Sequence, residues 1–229
     1  MSGDRVGPGR PAPPGKVLYP MFVDLHGRRC LVVGGGPIAE ERVAKLIDHG
    51  AVVRLVSPQT TSGLTRMIAE GSIAEHAQRT YRPEDLEGCF LVIAATNLGE
   101  INRMVRQDAE ARDMLCNLVG APALCVFVVP AVVRRGELAF AITTGGASPV
   151  VTTRIRRQLE EAYGPEWEGL TGLLRDLRDD LKARHPEMAG RRAAVEALMD
   201  SDVLRLLADG DEAGAADLAR RVLDLGVHA

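Results

Sequence analysis

Gly34-Gly35-Gly36-Pro37-Ile38-Ala39 stands between an apolar run, Arg28–Val33, and a segment with helical spacing. This is G-x-G-x-x-A at a strand-to-helix junction, a pattern whose chemistry is phosphate binding. Gly34 allows the tight turn, Gly36 lets a pyrophosphate approach the backbone, and Ala39 keeps the helix close to the sheet. Free N–H groups at the helix start would face the anion, and Pro37 near the first helical position loses only an orphan donor. The bland alternative is a purely structural tight turn. The acid usually found about 20 residues later, on the ribose 2′-hydroxyl, is missing. The next apolar run ends Val56-Ser57-Pro58-Gln59, so Ser57, Gln59 or backbone groups would have to replace it. Charge alone therefore leaves NAD and NADP both open.

Two more places should face the same crevice, because ligands of parallel sheets bind beyond the carboxyl ends of the strands. One is Ala94-Ala95-Thr96-Asn97 and the other is Asn117. Strand-end packing and N-capping are the competing roles. A second glycine turn, "TTGGASPVVTTRIRRQLEEAYG" from Thr143 to Gly164, repeats the logic. Gly145 and Gly146 form the turn, Ser148 caps the helix, and Pro149 takes its first position. Arg154, Arg156 and Arg157 follow. Exposed N–H groups with arginines suit a carboxylate-bearing substrate, and a solvated helix face is the plain alternative.

These residues need a scaffold. Arg28–Val33, Ala51–Pro58, Ser72–Gln78, Cys89–Thr96 and Met114–Val119 read as strands. Helical stripes lie between them: Ala39, Val43, Leu46 and Ile47, closed by Gly50; Leu64, Met67 and Ile68; and Ile101, Met104, Val105 and Ala109. Asn97, with Glu100 three residues on, reads as the N-cap of the last of these. The alternation predicts a Rossmann-type parallel, doubly wound sheet. It stops after Gly120. "CVFVVPAVV" and "ELAFAITT" flank Arg135-Gly136 as a β-hairpin, with Pro130 implying a bulge or an edge. Helical stripes then run to the end: Val151, Ile155, Leu159 and Ala162; Leu170, Leu173, Leu177 and Leu181; Val195, Leu198 and Met199; and Leu218, Val222 and Leu225. The expected fold is α/β, with a sheet domain, a β-hairpin/helix dimerisation region and a helical C-terminal domain. The boundaries are 1–16 as a disordered leader, 17–120, 121–164 and 165–229.

Composition excludes several classes. The 229 residues carry a net charge of −3, so no basic field draws nucleic acid or a membrane surface. Aromatic content of 3% argues against a base-stacking platform. No apolar run approaches the roughly 18 residues of a membrane span. Residues 1–16 lack the apolar stretch of a secretory signal, which predicts a cytoplasmic protein. The four cysteines have no C-x-x-C spacing and the five histidines no ligand spacing, so no metal site is expected.

"YPMFVDLHGRRCLVVGGG", "FLVIAAT", "NLVGAPALCVFVVPAVVRRGELAFAITTGGASP" and the arginine-rich helix after it resemble the precorrin-2 dehydrogenase / sirohydrochlorin ferrochelatase module of siroheme synthase. The resemblance runs in order over roughly residues 17–200. It implies a homodimer that oxidises precorrin-2 to sirohydrochlorin with NAD, and iron insertion in bifunctional members. By position, cofactor contacts fall on Gly36, Pro37, Ile38, Pro58, Gln59, Thr96 and Asn97. Thr144 takes the place of a serine at the family's tetrapyrrole site. One departure is chemical. The family's Asn-Val-Val-Asp, whose aspartate is taken as the acid/base and metal-handling group, is here Asn117-Leu118-Val119-Gly120. Gly120 leaves the catalytic residue unassigned. Three readings compete: a dehydrogenase with weak or no chelatase activity, a non-catalytic tetrapyrrole carrier or NAD-responsive sensor, and a regulatory Rossmann domain unrelated to tetrapyrroles.

Overall fold

Short β-branched and leucine-rich runs separated by amphipathic helices have few ways to bury both sheet faces, and parallel βαβ winding is the usual one. The computed structural model, which describes residues 17–121 and 124–225, has that winding. The strands are β1 (Arg29–Val33), β2 (Val52–Val56), β3 (Glu75–Ala77), β4 (Leu91–Ala94) and β5 (Leu115–Leu118). They form one parallel sheet in the order β3-β2-β1-β4-β5. Helices α1 (Pro37–Asp48), α2 (Ser62–Ala69) and α3 (Gly99–Glu110) connect them. The order reverses beside β1, so the loops after β1 and β4 open the crevice predicted for a ligand.

Alternate residues of β1 enter two cores. Leu31 and Val33 pack with Val92, Val105 and Cys116, while Cys30 and Val32 pack with Val43, Leu55 and Leu64. Gly50, with φ +74°, follows the C-cap of α1 and donates its N–H to the Ile47 carbonyl at 2.8 Å. That is the left-handed helix stop read from the sequence.

Contacts divide the chain between Val129 and Pro130. The second unit starts with a hairpin, β6 (Ala131–Arg135) and β7 (Leu138–Ile142), then α4 (Pro149–Ala162). Helices α5 (Glu166–Asp176), α6 (Arg178–Arg184), α7 (Met188–Met199), α8 (Val203–Ala208) and α9 (Glu212–Val222) follow. Leu170, Leu181, Leu198, Val203 and Ala219 form the core of this helical part.

Two sequence expectations need correction. The apolar run 125–133 is not one hairpin arm. Pro130 ends it, and the earlier part returns to the first sheet, where the Val126 N–H bonds the Cys116 carbonyl at 2.9 Å. The α4 stripe is helical as read, with Val151 and Ile155 exposed. Finally, Asn97 does not cap α3. Leu98 is the N-cap, and the Thr96 hydroxyl accepts its N–H at 3.1 Å. The expected leader, 1–16, lies outside the described residues.

An ion pair with a buried carboxylate anchors the chain between β3 and β4. Asp85 accepts from the Arg79 guanidinium at 2.6 and 2.8 Å and from the Arg82 N–H at 2.8 Å. Burial alone would raise its pKa. The Arg79 and Arg82 hydrogen bonds and the charges of Arg79 and Arg54 outweigh that and hold it below the ordinary carboxylate value. A depressed carboxylate contributes stability above about pH 4, lost as pH falls through its folded-state value. Asp85→Asn should therefore cost about 1–3 kcal/mol at pH 7. In melting curves from pH 7 to 3 the gap between parent and variant should close; a constant gap would show that Asp85 does not titrate in folding.

Candidate functional site

The turn after β1 is held from both sides. The Gly34 N–H bonds the Val56 carbonyl at 2.9 Å, and the Thr61 N–H bonds the Gly35 carbonyl at 3.0 Å. A methyl group on Gly34 would sit 2.5 Å from the Ala95 carbonyl oxygen, at a φ of +121° that side chains rarely adopt. One on Gly35 would overlap the Gln59 carbonyl. These two glycines are required by the neighbouring loops. Gly36 differs: nothing lies within 4 Å of the position a Cβ would take, and its φ is −84°. Protein packing gives no reason for glycine there. The open space lies at the N-cap of α1, where Pro37 leads into unpaired N–H groups. That space fits a pyrophosphate.

Around it lies a cavity of about 800 Å³ in the first unit. Gly34, Gly36, Pro37 and Ile38 form its floor, with Ser57, Pro58 and Gln59 at the end of β2 and Ala95, Thr96 and Asn97 after β4. All ten positions expected from the sequence to contact a dinucleotide thus line one cavity. The loops are braced from within. The Ser57 hydroxyl, 5% exposed, donates to the Gln59 carbonyl at 2.6 Å. Thr96 donates to Asn102 Oδ1 at 2.7 Å, and the Asn102 amide returns to the Thr96 carbonyl at 2.9 Å. Glu40 accepts from the Thr61 hydroxyl and ties α1 to the N-cap of α2.

The cavity also includes Arg79, Thr80 and Tyr81, which no spacing rule singled out. They come from the loop after β3, and only the pairing of β3 with β2 brings them to the crevice. Tyr81 donates to Asp108 at 3.0 Å, and burial first, then that carboxylate, raises its pKa.

The residues expected on the substrate side fall in both units. The Asn117 amide is spent on the Phe127 carbonyl at 2.9 Å, and the side chain is not part of the cavity wall. Gly120 has φ +82° and open space where a Cβ would go. In the second unit, Gly145 and Gly146 both have positive φ, and Ser148 accepts the Val151 N–H at 3.3 Å as the N-cap of α4. Thr144 braces this turn by accepting the Ser148 N–H at 3.2 Å. Arg156 pairs with Glu160 at 2.6 Å, whereas Arg154 is exposed and makes no ion pair among the described residues.

A reversed parallel sheet with an open glycine turn at its switch point defines a Rossmann-type dinucleotide-binding protein. Residues 21–131 match a family described as "Putative NAD(P)-binding", and 166–223 match "Sirohaem synthase dimerisation region". The chain is 40% identical over 206 residues to a siroheme synthase of Pseudomonas fluorescens (strain SBW25), covering 90% of this chain and 43% of that protein. It is 39% identical over 191 residues to one from Xylella fastidiosa (strain M12), covering 83% and 40%. Among solved structures it is similar to "SirC, precorrin-2 dehydrogenase", with a TM-score of 0.73, 26% identity and coverage of 89% of this chain and 100% of that one. The chain is similar to siroheme synthases over about nine-tenths of its length, as the sequence motifs implied, and NAD is its cofactor. It spans less than half the length of the curated relatives it matches. The dimerisation match falls on α5–α9, beyond the 121–164 segment.

The three glycines give a graded test. Gly35→Ala should lower the melting temperature markedly and Gly34→Ala should do the same. Gly36→Asp should melt close to the parent yet lose NAD binding in calorimetry. Unchanged NAD affinity in Gly36→Asp would make the turn purely structural.

Proposed function

We propose that this protein oxidises precorrin-2 to sirohydrochlorin with NAD, and that it has little or no ferrochelatase activity. The observation that carries the reading is Gly36, a glycine with open space before it and no packing reason to be glycine. A bound nicotinamide would supply the hydride acceptor. The chain's residues would bind and orient: the Gly36 turn and α1 N-terminus hold the diphosphate, while Pro58, Gln59, Thr96 and Asn97 position the two ends. The substrate's carboxylates suit the Thr144–Ser148 turn and the exposed Arg154. We further infer a cytoplasmic homodimer, assembled through the hairpin region and the helices that match a dimerisation family. The exposed Val132, Val150, Val151 and Ile155 support a covered surface there.

Dehydrogenation releases one hydride and one proton. No carboxylate, imidazole or amine stands among the described residues lining the cavity, and the family's acid position is Gly120. The proton therefore leaves to water or to a carboxylate of the substrate. A conjugated product makes that loss favourable without a strong base. Metal insertion into a tetrapyrrole requires bases for pyrrole protons, and Gly120 supplies none. The same glycine favours a second reading, a tetrapyrrole carrier or NAD-responsive sensor.

An anaerobic absorbance scan of precorrin-2 with the protein separates the two readings. Sirohydrochlorin bands and reduced nicotinamide, appearing only with NAD, support the dehydrogenase. Ligand shifts without turnover support the carrier. Gly120→Asp should raise dehydrogenase turnover about tenfold or more, the ordinary value of a positioned base, with NAD affinity little changed. Its φ of +82° should also cost stability, roughly 1–2 kcal/mol by the left-handed strain of an L-residue, so melting is measured alongside. A folded variant no faster than the parent would show that the missing carboxylate does not limit this protein.

A further inference from the structure

The β2 end of the cavity, where the adenosine ribose of a dinucleotide belongs, carries a feature the family resemblance does not supply. The inference rests on the dinucleotide reading above. From Ser57 to Thr61 the rim has no carboxylate. Arg79 is the one charged residue among the described residues lining the cavity. It stands beside this rim because β3 pairs with β2 and the chain leaves β3 at Ala77. Its guanidinium is fixed by Asp85 and by the Thr80 carbonyl at 3.0 Å.

The orientation of that ion pair matters. The Asp85 side chain is 7% exposed and turned into the protein, where the Arg82 N–H also binds it; the Arg79 side chain is 36% exposed. The cavity therefore meets the cationic side of the pair. In Rossmann crevices an acid at the end of the second strand accepts the ribose 2′-hydroxyl and repels a 2′-phosphate, whereas a nearby arginine accommodates the phosphate. This chain has the arginine and lacks the acid.

We propose that the ribose end of this cavity accepts a 2′-phosphate, with Arg79 as the specificity-determining cation, so that the protein binds NADP as well as NAD. The expected NADP affinity is within about tenfold of that for NAD, since a charge-assisted contact offsets the desolvation of the added phosphate.

Calorimetric titration of the full chain with NAD and with NADP reads the ratio directly. Arg79→Gln alone would leave Asp85 buried without its partner and could unfold the loop. The double variant Arg79→Gln/Asp85→Asn keeps the pair neutral and hydrogen-bonded. In it the NADP-to-NAD affinity ratio should fall tenfold or more, and Arg79→Lys should recover part of the loss. The parent's NADP affinity should also fall faster with added salt than its NAD affinity. NAD binding with NADP weaker by about a hundredfold or more would overturn the proposal and leave the dinucleotide site standing. An unchanged ratio in the folded double variant would overturn the role of Arg79. If neither nucleotide binds, the dinucleotide reading itself fails, and this inference with it.

Discussion

The site depends on how closely three loops can approach. Gly34 admits the Ala95 carbonyl from the loop after β4, and Gly35 admits the Gln59 carbonyl from the loop after β2. Backbone bonds from Gly34 to Val56 and from Thr61 to Gly35 clamp the turn in that gap. Interiors are too closely packed for side chains to be inserted there. Because both contacts are to backbone, neither neighbour can relieve a clash by changing rotamer. The clamp leaves Gly36 facing outward at the start of α1. Strand order, loop register and the direction of the α1 N–H groups all converge on that one unfilled position.

Much of this was legible in the sequence. The change from β-branched runs to helical spacing at Gly34–Ala39 marked the turn, and Gly50 and Ser148 marked a helix end and a helix start by known backbone requirements. What was hidden was tertiary. Arg79 has no local signature, since it reaches the cavity only through the β2–β3 pairing. Asn97 looked like a cap, but the Thr96 hydroxyl is one residue nearer the strand and takes the Leu98 N–H. The apolar run from Cys125 to Val133 looked continuous, yet Pro130 lacks the N–H a strand would need, and Val126 had an unpaired Cys116 carbonyl to satisfy. Helix α8, only six residues long, was too short for periodicity to reveal. The exposed α4 stripe shows that an apolar face legible in the sequence need not be buried by the same chain.

Gly120 separates two chemistries that a single carboxylate can serve together. Hydride loss needs orientation and an acceptor, which a rigid glycine turn and a bound dinucleotide can provide. Chelation needs proton acceptors at the substrate. Under the proposed function, glycine at position 120 would weaken chelation more than hydride transfer. The positive φ at Gly120 also shows that this position is now used as a backbone turn, between Leu118 and Ala121.

Amide NMR of the labelled chain during NAD titration addresses the central claim most directly. Binding at the Gly36 cradle predicts the largest shifts at Gly36, Ile38 and Ala39, with further shifts at Gln59, Thr96 and Asn97. The amides of the α5–α9 core should stay near their starting positions. Saturable shifts that miss Gly36 and Ile38, or no shifts at millimolar NAD, would contradict it.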